Sequence, residues 1–276
     1  MIQGFIDSNP NKNTKMKVTF GELPDQFNAG DSPGWDQLSE HLEGHNTDLL
    51  ILNEMPFGQW LASSQIYNSA QAEESIEAHR CGIGKLGKLN VPAIVSSRPV
   101  PSPAKLANEA FLLQRDSYTP IHHKHYFPEQ SGFFEKTWFE PTRPGFNITE
   151  VGALRIGVLL CTEIMFTEWA RHYRRQGANV IAIPRTSGTS MHYWHTAAAM
   201  AALVSGCYVV SSNRRSAAST AFGGGGFVFS PQGFLLMSST LDQPIVTIDL
   251  DLEAVTSAQR AYPCCVEEIL SKFEEI

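Results

Sequence analysis

Three side chains that can perform acid–base and nucleophilic chemistry each follow an apolar run of the sequence. Glu54 closes the run DLLILNE, Lys124 closes YTPIHHK and Cys161 closes ALRIGVLLC. In open α/β sheets, reactive groups gather beyond the carboxyl ends of the strands. A carboxylate, an ammonium and a thiol that meet there form an acid, a base and a nucleophile. Taken singly, Glu54 and Lys124 are equally compatible with a structural ion pair or with exposure to solvent.

Cys161 is the candidate nucleophile because a helical stretch follows it directly. A strand that ends at the N-terminus of a helix offers positive potential and free N–H groups, which favour a thiolate and an oxyanion. A buried cysteine in a strand is also a common core residue, so Cys161 alone does not establish a function. An odd number of irregularly spaced cysteines without a CxxC pair predicts reduced thiols and no structural zinc: Cys81, Cys161, Cys207, Cys264 and Cys265.

Two other patterns resemble a dinucleotide-binding motif and a metal-binding motif, but their positions in the sequence do not support either site. The glycines of a formal GxGxxG, at 82, 84 and 87, close a helical pattern instead of opening a helix after a strand, so no dinucleotide site is predicted. In the run HHKH at 122–125, only His123 and His125 would share a face of a strand, and no carboxylate stands at ligand spacing. We therefore predict neither a dinucleotide site nor a metal site in these two segments.

The elements that position these residues alternate short apolar runs with amphipathic stretches, which is typical of an α/β protein. Helices are predicted at 34–42, 71–89, 192–205 and in FTEWARHYRRQG, and residues 127–148 are predicted to be a functional insertion without regular structure. Strands are predicted at KVTFGEL, DLLILNE, VPAIVSS, ALRIGVLLC, NVIAIP and CYVVSSN, with NEAFLLQR and SYTPIHHKHYF as a hairpin and GGFVFSP, FLLMSS and PIVTIDL as three antiparallel strands.

Composition limits the class of protein. The chain has 276 residues, of which 42% are hydrophobic and 18% are charged, as in ordinary globular proteins. A net charge of −7 without a basic cluster argues against nucleic acid or an anionic membrane as a partner. No spanning segment or signal peptide is recognisable, so a cytoplasmic location is expected. We predict a flexible tail over 1–15 and a single domain over 16–276.

Together these segments make the sequence similar to the nitrilase superfamily, the carbon–nitrogen hydrolases. LLILNEMPF around Glu54, HHKHYFPE around Lys124 and LRIGVLLCTE around Cys161 carry the resemblance. SGFFEKTWFEPTRPGF resembles the family's amidase segment, which contains a second glutamate, here Glu135. GANVIAIP, GFVFSPQG and PIVTIDLD complete the order, so the resemblance covers about residues 16–262.

The resemblance implies a four-layer α-β-β-α sandwich that acts as a homodimer or larger homo-oligomer, without a metal or cofactor. Glu54 would take the thiol proton, Cys161 would form a thioester, and Lys124 with the backbone N–H of Thr162 would stabilise the oxyanion. Glu135 would help to position the substrate and Lys124. The helix after the nucleophile would form the dimer interface, with Met165, Trp169 and Tyr173 as anchors.

The expected activity is hydrolysis of a non-peptide carbon–nitrogen bond in a small linear amide or N-carbamoyl amide, with release of ammonia. The EKTWF segment most resembles amidases that act on N-carbamoyl compounds, and hydrolysis of a nitrile is the alternative reaction. Arg185 could bind a substrate carboxylate or pair with a surface acid. The chain could also be a catalytically silent binding protein or a papain-type hydrolase. The intact set of three residues and the lack of a legible Cys–His pairing favour the carbon–nitrogen hydrolase.

Overall fold

A computed structural model describes residues 15–25, 27, 32–115, 117–143, 145–216 and 222–268. The predicted tail lies outside the described residues except for Lys15, which already belongs to the first strand. None of the helices in the described ranges is long and apolar enough to cross a bilayer.

Strands and helices alternate along most of the chain. The strands are β1 Lys15–Pro24, β2 Leu49–Ile51, β3 Ile94–Pro101, β4 Leu106–Gln114, β5 Ser117–His123, β6 Glu129–Gln130, β7 Phe133–Phe134, β8 Thr149–Val151, β9 Leu154–Val158, β10 Val180–Pro184, β11 Tyr208–Arg215, β12 Phe227–Phe229, β13 Leu235–Ser238 and β14 Ile245–Asp251. The helices are α1 Pro33–Glu43, α2 Ser69–Leu86, α3 Glu135–Trp138, α4 Glu168–Arg175, α5 Met191–Ser205 and α6 Leu252–Arg260, with short 3-10 helices at Leu61–Ser63 and Cys161–Met165.

Within the described residues, twelve strands form one continuous sheet in the order β5-β4-β3-β2-β1-β11-β10-β9-β8, with β12 and β13 beyond β11 and β14 beside β1. The central pairs β3–β2, β2–β1, β1–β11, β11–β10 and β10–β9 are parallel. The two halves of the sheet are joined through Glu22–Pro24 of β1 and Asn213–Arg215 of β11. The carboxyl ends of the parallel strands therefore meet on one side of the sheet.

The sheet folds over so that its two halves pack face to face. One apolar cluster joins side chains of β1, β2, β3 and β4 to side chains of β9, β10, β11 and β12. Because alternate strand residues point to opposite faces, Leu50 and Ile94 pack outward against α1 and α2, while Ile181 and Ile183 pack outward with α4 and α5. The layers are helices, sheet, sheet and helices, so the predicted α-β-β-α sandwich is confirmed.

Several predictions about local structure need correction. Residues 127–148 are not irregular throughout, because they contain the β6–β7 hairpin and α3. Strand β14 is antiparallel to β1, not to β13, and α6 follows it without having been predicted. Tyr173 is fully buried inside its own chain and donates a hydrogen bond to Val158 O at 2.6 Å, so its predicted role as an interface anchor was wrong.

Candidate active site

Lys124 lies between two buried carboxylates. It directly follows β5, and its backbone N–H donates to Asn108 O at 2.9 Å. Its Nζ is 2.8 Å from Glu54 Oε1 and 2.6 Å from Glu135 Oε2, and none of the three side chains reaches solvent. Burial by itself lowers the pKa of Lys124, but the negative charges of Glu135 and Glu54 outweigh it and hold the pKa above its ordinary value. Lys124 is therefore a permanent cation.

Glu54 has one oxygen engaged and one oxygen free. Its backbone is fixed beyond β2, because its N–H donates to Arg185 O at 3.2 Å and its carbonyl accepts from Thr186 Oγ1 at 2.7 Å. Oε1 accepts from Lys124 and from Asn108 Nδ2 at 2.8 Å, whereas Oε2 is buried without a hydrogen-bond partner in the described part of the chain. A buried carboxylate oxygen left in this state is an available proton acceptor.

Glu135 is the first residue of α3 and is fully buried. Burial raises the pKa of Glu135 to about 8, against the opposing effect of the Lys124 charge, and the nearby charge of Glu54 adds to the rise. The carboxyl group of Glu135 is therefore less acidic than that of an ordinary glutamate.

Cys161 lies next to this cluster, but it does not end a strand as predicted. Strand β9 ends at Val158, and Cys161 is the first residue of the following 3-10 helix. The φ of Cys161 is +50°, a value that non-glycine residues adopt only in a constrained turn. Its Sγ is 3.7 Å from Thr186 O. Burial raises the pKa of the Cys161 thiol, and the charge of Glu54 raises it further. The surroundings of Cys161 therefore favour the protonated thiol over the thiolate.

Cys161 and Glu135 open onto a cavity of about 430 Å³. Thr162 also lines it, and the Thr162 N–H makes no backbone hydrogen bond within the described residues. The remaining wall comes from the β6–β7 hairpin, the segment after β10 and the start of α5: Pro128, Gln130, Phe133, Met165, Thr186, Ser187, Gly188, Thr189, Ser190, Tyr193 and Trp194. A larger depression of about 870 Å³ beside α1 and the end of α2 contains none of Glu54, Lys124, Glu135 and Cys161.

Arg185 lies behind the cavity wall and is fully buried. Its guanidinium donates to Ser211 Oγ at 2.7 Å, Ser187 Oγ at 2.9 Å and Gly225 O at 2.6 Å, and it lies over the rings of Trp194 and Phe227. Burial lowers the pKa of Arg185 to about 10, so it remains charged at neutral pH. Among the described residues it forms no ion pair, so the expected pairing with a surface acid is not seen.

A second buried carboxylate network, which no sequence pattern had indicated, joins the neighbours of Cys161 and Lys124. Glu163 Oε2 accepts from Leu160 N–H at 2.8 Å and is 2.7 Å from His122 Nε2, and Glu163 Oε1 accepts from His125 N–H at 2.8 Å. His122 and His125, not His123 and His125, therefore share a side, and a carboxylate does stand beside them. Their ligand atoms and that of Glu163 lie within 4.8 Å of one another. Glu163 stands only two residues after Cys161, but its contact with His122 joins residues 41 positions apart and leaves no local sequence signal.

The loop after Glu54 is held by groups from two other elements, β11 and α2. Arg214 of β11 donates to Met55 O and, at 3.3 Å, to Gly58 O. His79 Nε2 of α2 accepts from Phe57 N–H at 3.3 Å, and the absence of a side chain at Gly82 leaves room for the Phe57 ring. Met55, with a φ of +44°, makes the turn between these contacts. The loop that follows Glu54 is therefore fixed on both sides.

A buried cysteine, two buried carboxylates and a buried lysine thus meet beside one cavity of an α-β-β-α sandwich. The chain belongs to the carbon-nitrogen hydrolase family, whose sequence profile matches residues 25–260. It is therefore an enzyme that hydrolyses carbon–nitrogen bonds. It is 24% identical over 244 residues to an N-carbamoylputrescine amidase from Oryza sativa subsp. japonica, covering 80% of each chain. It is also 32% identical over 123 residues to a nitrilase from Pyrococcus abyssi, a match that spans 44% of this chain and 46% of the nitrilase.

Solved structures show the same fold at low sequence identity. A carbon-nitrogen hydrolase from Helicobacter pylori G27 superimposes with a TM-score of 0.82 at 19% identity, covering 94% of this chain and 97% of the other. The amidase from Nesterenkonia sp. AN1, solved as a mutant in complex with butyramide, gives a TM-score of 0.69 at 19% identity, covering 88% and 93%. The predicted family and fold are thereby confirmed.

Proposed function

We propose that this protein hydrolyses a small linear amide to an acid and ammonia through a thioester on Cys161. The observation that carries this proposal is the position of Lys124, held at 2.8 Å and 2.6 Å between Glu54 and Glu135 beside a buried thiol at a cavity wall. A purely structural ion pair would need neither a second carboxylate nor an adjacent thiol.

In the first half-reaction, the free oxygen of Glu54 takes the proton of Cys161 as the sulfur attacks the amide carbon. The carbonyl π electrons move to oxygen, and Lys124 with the Thr162 N–H stabilises the oxyanion that forms. When the carbon–nitrogen bond breaks, Glu54 returns the proton to the leaving nitrogen, so ammonia departs and the acyl group remains on sulfur.

In the second half-reaction, Glu54 takes a proton from water, and the hydroxyl oxygen attacks the thioester carbon. The carbon–sulfur bond breaks, the sulfur regains a proton, and the carboxylic acid is released. Glu135 acts on both half-reactions by holding Lys124 in place and by presenting its own carboxyl group at the cavity wall, where it meets the amide nitrogen.

The named activities of relatives support amides over nitriles as the substrate. The rice relative that covers 80% of the chain is an N-carbamoylputrescine amidase, and the Nesterenkonia amidase binds butyramide in its structure. The nitrilase match spans less than half of either chain. An N-carbamoyl amide or a nitrile would use the same thiol and the same base, so each is included in the test.

Ammonia release from a panel of amides, N-carbamoyl compounds and nitriles tests the proposal, together with mass spectrometry of the acyl adduct. We expect the mass of an acyl group on Cys161 and loss of turnover in Cys161→Ala. Cys81→Ala is the matched control, because Cys81 is an exposed thiol on α2, and it should keep full activity. Ammonia release by Cys161→Ala at the normal rate would refute the mechanism, and no turnover of any compound would favour a silent binding protein.

We further propose that the protein is a cytoplasmic homodimer or larger homo-oligomer. All five cysteines are unpaired, which is compatible with a reducing compartment. Apolar side chains are exposed on the surface of the single chain, at Met200 and Leu203 of α5 and at Phe234 and Leu235 around the start of β13. Light scattering at micromolar concentration should give at least twice the mass of one chain, and a monomer would contradict the proposal.

A further inference from the structure

We propose that the substrate is the primary amide of an uncharged aliphatic or aromatic acid, because the cavity beside Cys161 offers no partner to a second charged group. This inference rests on the proposed function and names the substrate class of the same site. It concerns the end of the substrate that lies away from the scissile bond.

The cavity wall offers no charged group that is free to bind a charged substrate. Among its described lining residues, Glu135 is the only carboxylate, and it is bound to Lys124 at 2.6 Å. No lysine or arginine is among those lining residues. A substrate ammonium would therefore have to compete with Lys124 for Glu135, and a substrate carboxylate would meet no cation at the wall.

The groups that remain available are neutral. The side chains of Gln130, Thr162, Thr189 and Ser190 line the cavity and form no hydrogen bonds with the described residues. Around them stand the apolar surfaces of Phe133, Met165, Tyr193 and Trp194. Aromatic and thioether surfaces with a few neutral hydrogen-bonding groups bind an apolar chain that bears, at most, a hydroxyl or amide.

Arg185 is a buried cation that forms no ion pair with the described residues, and its position does not make it a carboxylate site. Its guanidinium is enclosed, donates to Ser187 and Ser211, and lies 5.1 Å from the Trp194 ring centroid. Ser187, which lines the cavity, stands between the guanidinium and the substrate space, and its N–H is fixed to Asn213 Oδ1 at 3.0 Å. The positive charge of Arg185 raises the potential of the cavity, which opposes a cationic substrate. A substrate carboxylate would gain this long-range attraction but no direct cationic partner at the wall, so it would still lose its hydration without an ion pair.

Three amides of equal chain length separate the possibilities: pentanamide, glutaramic acid (its analogue with a terminal carboxylate) and the analogue with a terminal ammonium. Ammonia release at pH 7 gives kcat/KM for each. We expect pentanamide to exceed both charged analogues by at least about a hundredfold, because desolvating an unpaired ion is costly. A charged analogue that equals or exceeds pentanamide would overturn the inference while leaving the proposed function intact.

Charge variants at the cavity mouth test the same point from the protein side. Gln130 is exposed, so Gln130→Lys and Gln130→Glu should both fold. Gln130→Lys should raise the ratio of kcat/KM for glutaramic acid to kcat/KM for pentanamide by about tenfold. Gln130→Glu should raise the corresponding ratio for the ammonium analogue by the same factor. If neither variant moves either ratio, the far end of the substrate does not lie in this cavity and the inference fails.

Arg185 provides the remaining decisive comparison. If glutaramic acid is the best substrate, and Arg185→Lys keeps that preference whereas Arg185→Met removes it, Arg185 is a carboxylate site and the inference is wrong. If no amide releases ammonia and Cys161 carries no acyl adduct, the proposed function fails and this inference falls with it.

Discussion

The side chain of Glu163 accepts a hydrogen bond from the backbone N–H of His125 at 2.8 Å, which fixes the residue next to Lys124 to the residue two positions after Cys161. The same carboxylate accepts from Leu160 N–H at 2.8 Å, immediately before Cys161. Cys161 and Lys124 are thus set at a constant separation by a third residue that does not line the cavity.

Glu163→Gln should therefore reduce turnover more than substrate binding. One carboxylate oxygen becomes an NH₂ group, which cannot accept a hydrogen bond, so either Leu160 N–H or His125 N–H loses its acceptor. A buried donor without an acceptor costs about 1–3 kcal/mol. We expect kcat to fall at least about tenfold with KM nearly unchanged. Steady-state kinetics measure both parameters, and His125→Ala is the control because it keeps the backbone N–H. An increase in KM with kcat unchanged would contradict this positioning role.

Lys124→Met should lose both activity and stability. The loss of one oxyanion donor lowers kcat by about a hundredfold to a thousandfold. Removing one partner from a buried ion pair costs about 3–5 kcal/mol. The matched control is Lys17→Met, because Lys17 also lies 2.8 Å from a carboxylate, Asp249, but both side chains of that pair are about half exposed. That control should change the free energy of unfolding by less than about 1 kcal/mol. Near-normal turnover in folded Lys124→Met would refute the proposed mechanism.

His79 makes the protein sensitive to mild acid. Burial lowers the pKa of His79 from 6.5 to about 4, against the opposing hydrogen bond to Ser75 O, and the charge of Arg214 lowers it further. Because the unfolded chain binds the proton first, the contribution of His79 to stability is complete above pH 6.5. It is lost as the pH falls to about 4, and amounts to about 3 kcal/mol.

Urea unfolding of the wild type and of His79→Gln between pH 7 and pH 4 measures this contribution. Glutamine can still accept from Phe57 N–H but does not titrate, so the variant should lose less stability in this interval than the wild type. Equal losses would show that His79 does not titrate as described.

Two glycines of one helix should respond to alanine in opposite directions. A Cβ at Gly82 would lie 2.4 Å from the ring of Phe57, whereas a Cβ at Gly84 would meet nothing within 4 Å. Gly82→Ala should destabilise the protein by about 1–3 kcal/mol through overpacking. Gly84→Ala should stabilise it by about 0.5–1 kcal/mol through helix propensity. Thermal unfolding compares them, and two stabilised variants would mean that Phe57 can move away freely.

Most strands could be predicted from the sequence because their apolar periodicity is local. Glu54, Lys124, Glu135 and Cys161 could be predicted through motifs, and the structure brings the first three into direct contact. The position of Glu163 beside His122 could not be predicted from the sequence. That contact joins residues 41 positions apart, and no local pattern encodes the pairing of their segments. The enclosure of Arg185 depends likewise on β11 and on the loop at Gly225.

The burial of Cys161 beside Glu54 also affects how the protein reacts with oxidants, because it favours the protonated thiol. Hydrogen peroxide converts thiolates, not thiols, to sulfenic acids. A sulfur that keeps its proton until a substrate carbonyl arrives therefore presents a poor target while the enzyme is idle. Exposed thiols such as Cys81 and Cys265 are the ones that meet peroxide in the surrounding solution. Peroxide should consequently inactivate the enzyme faster during turnover than in the absence of substrate.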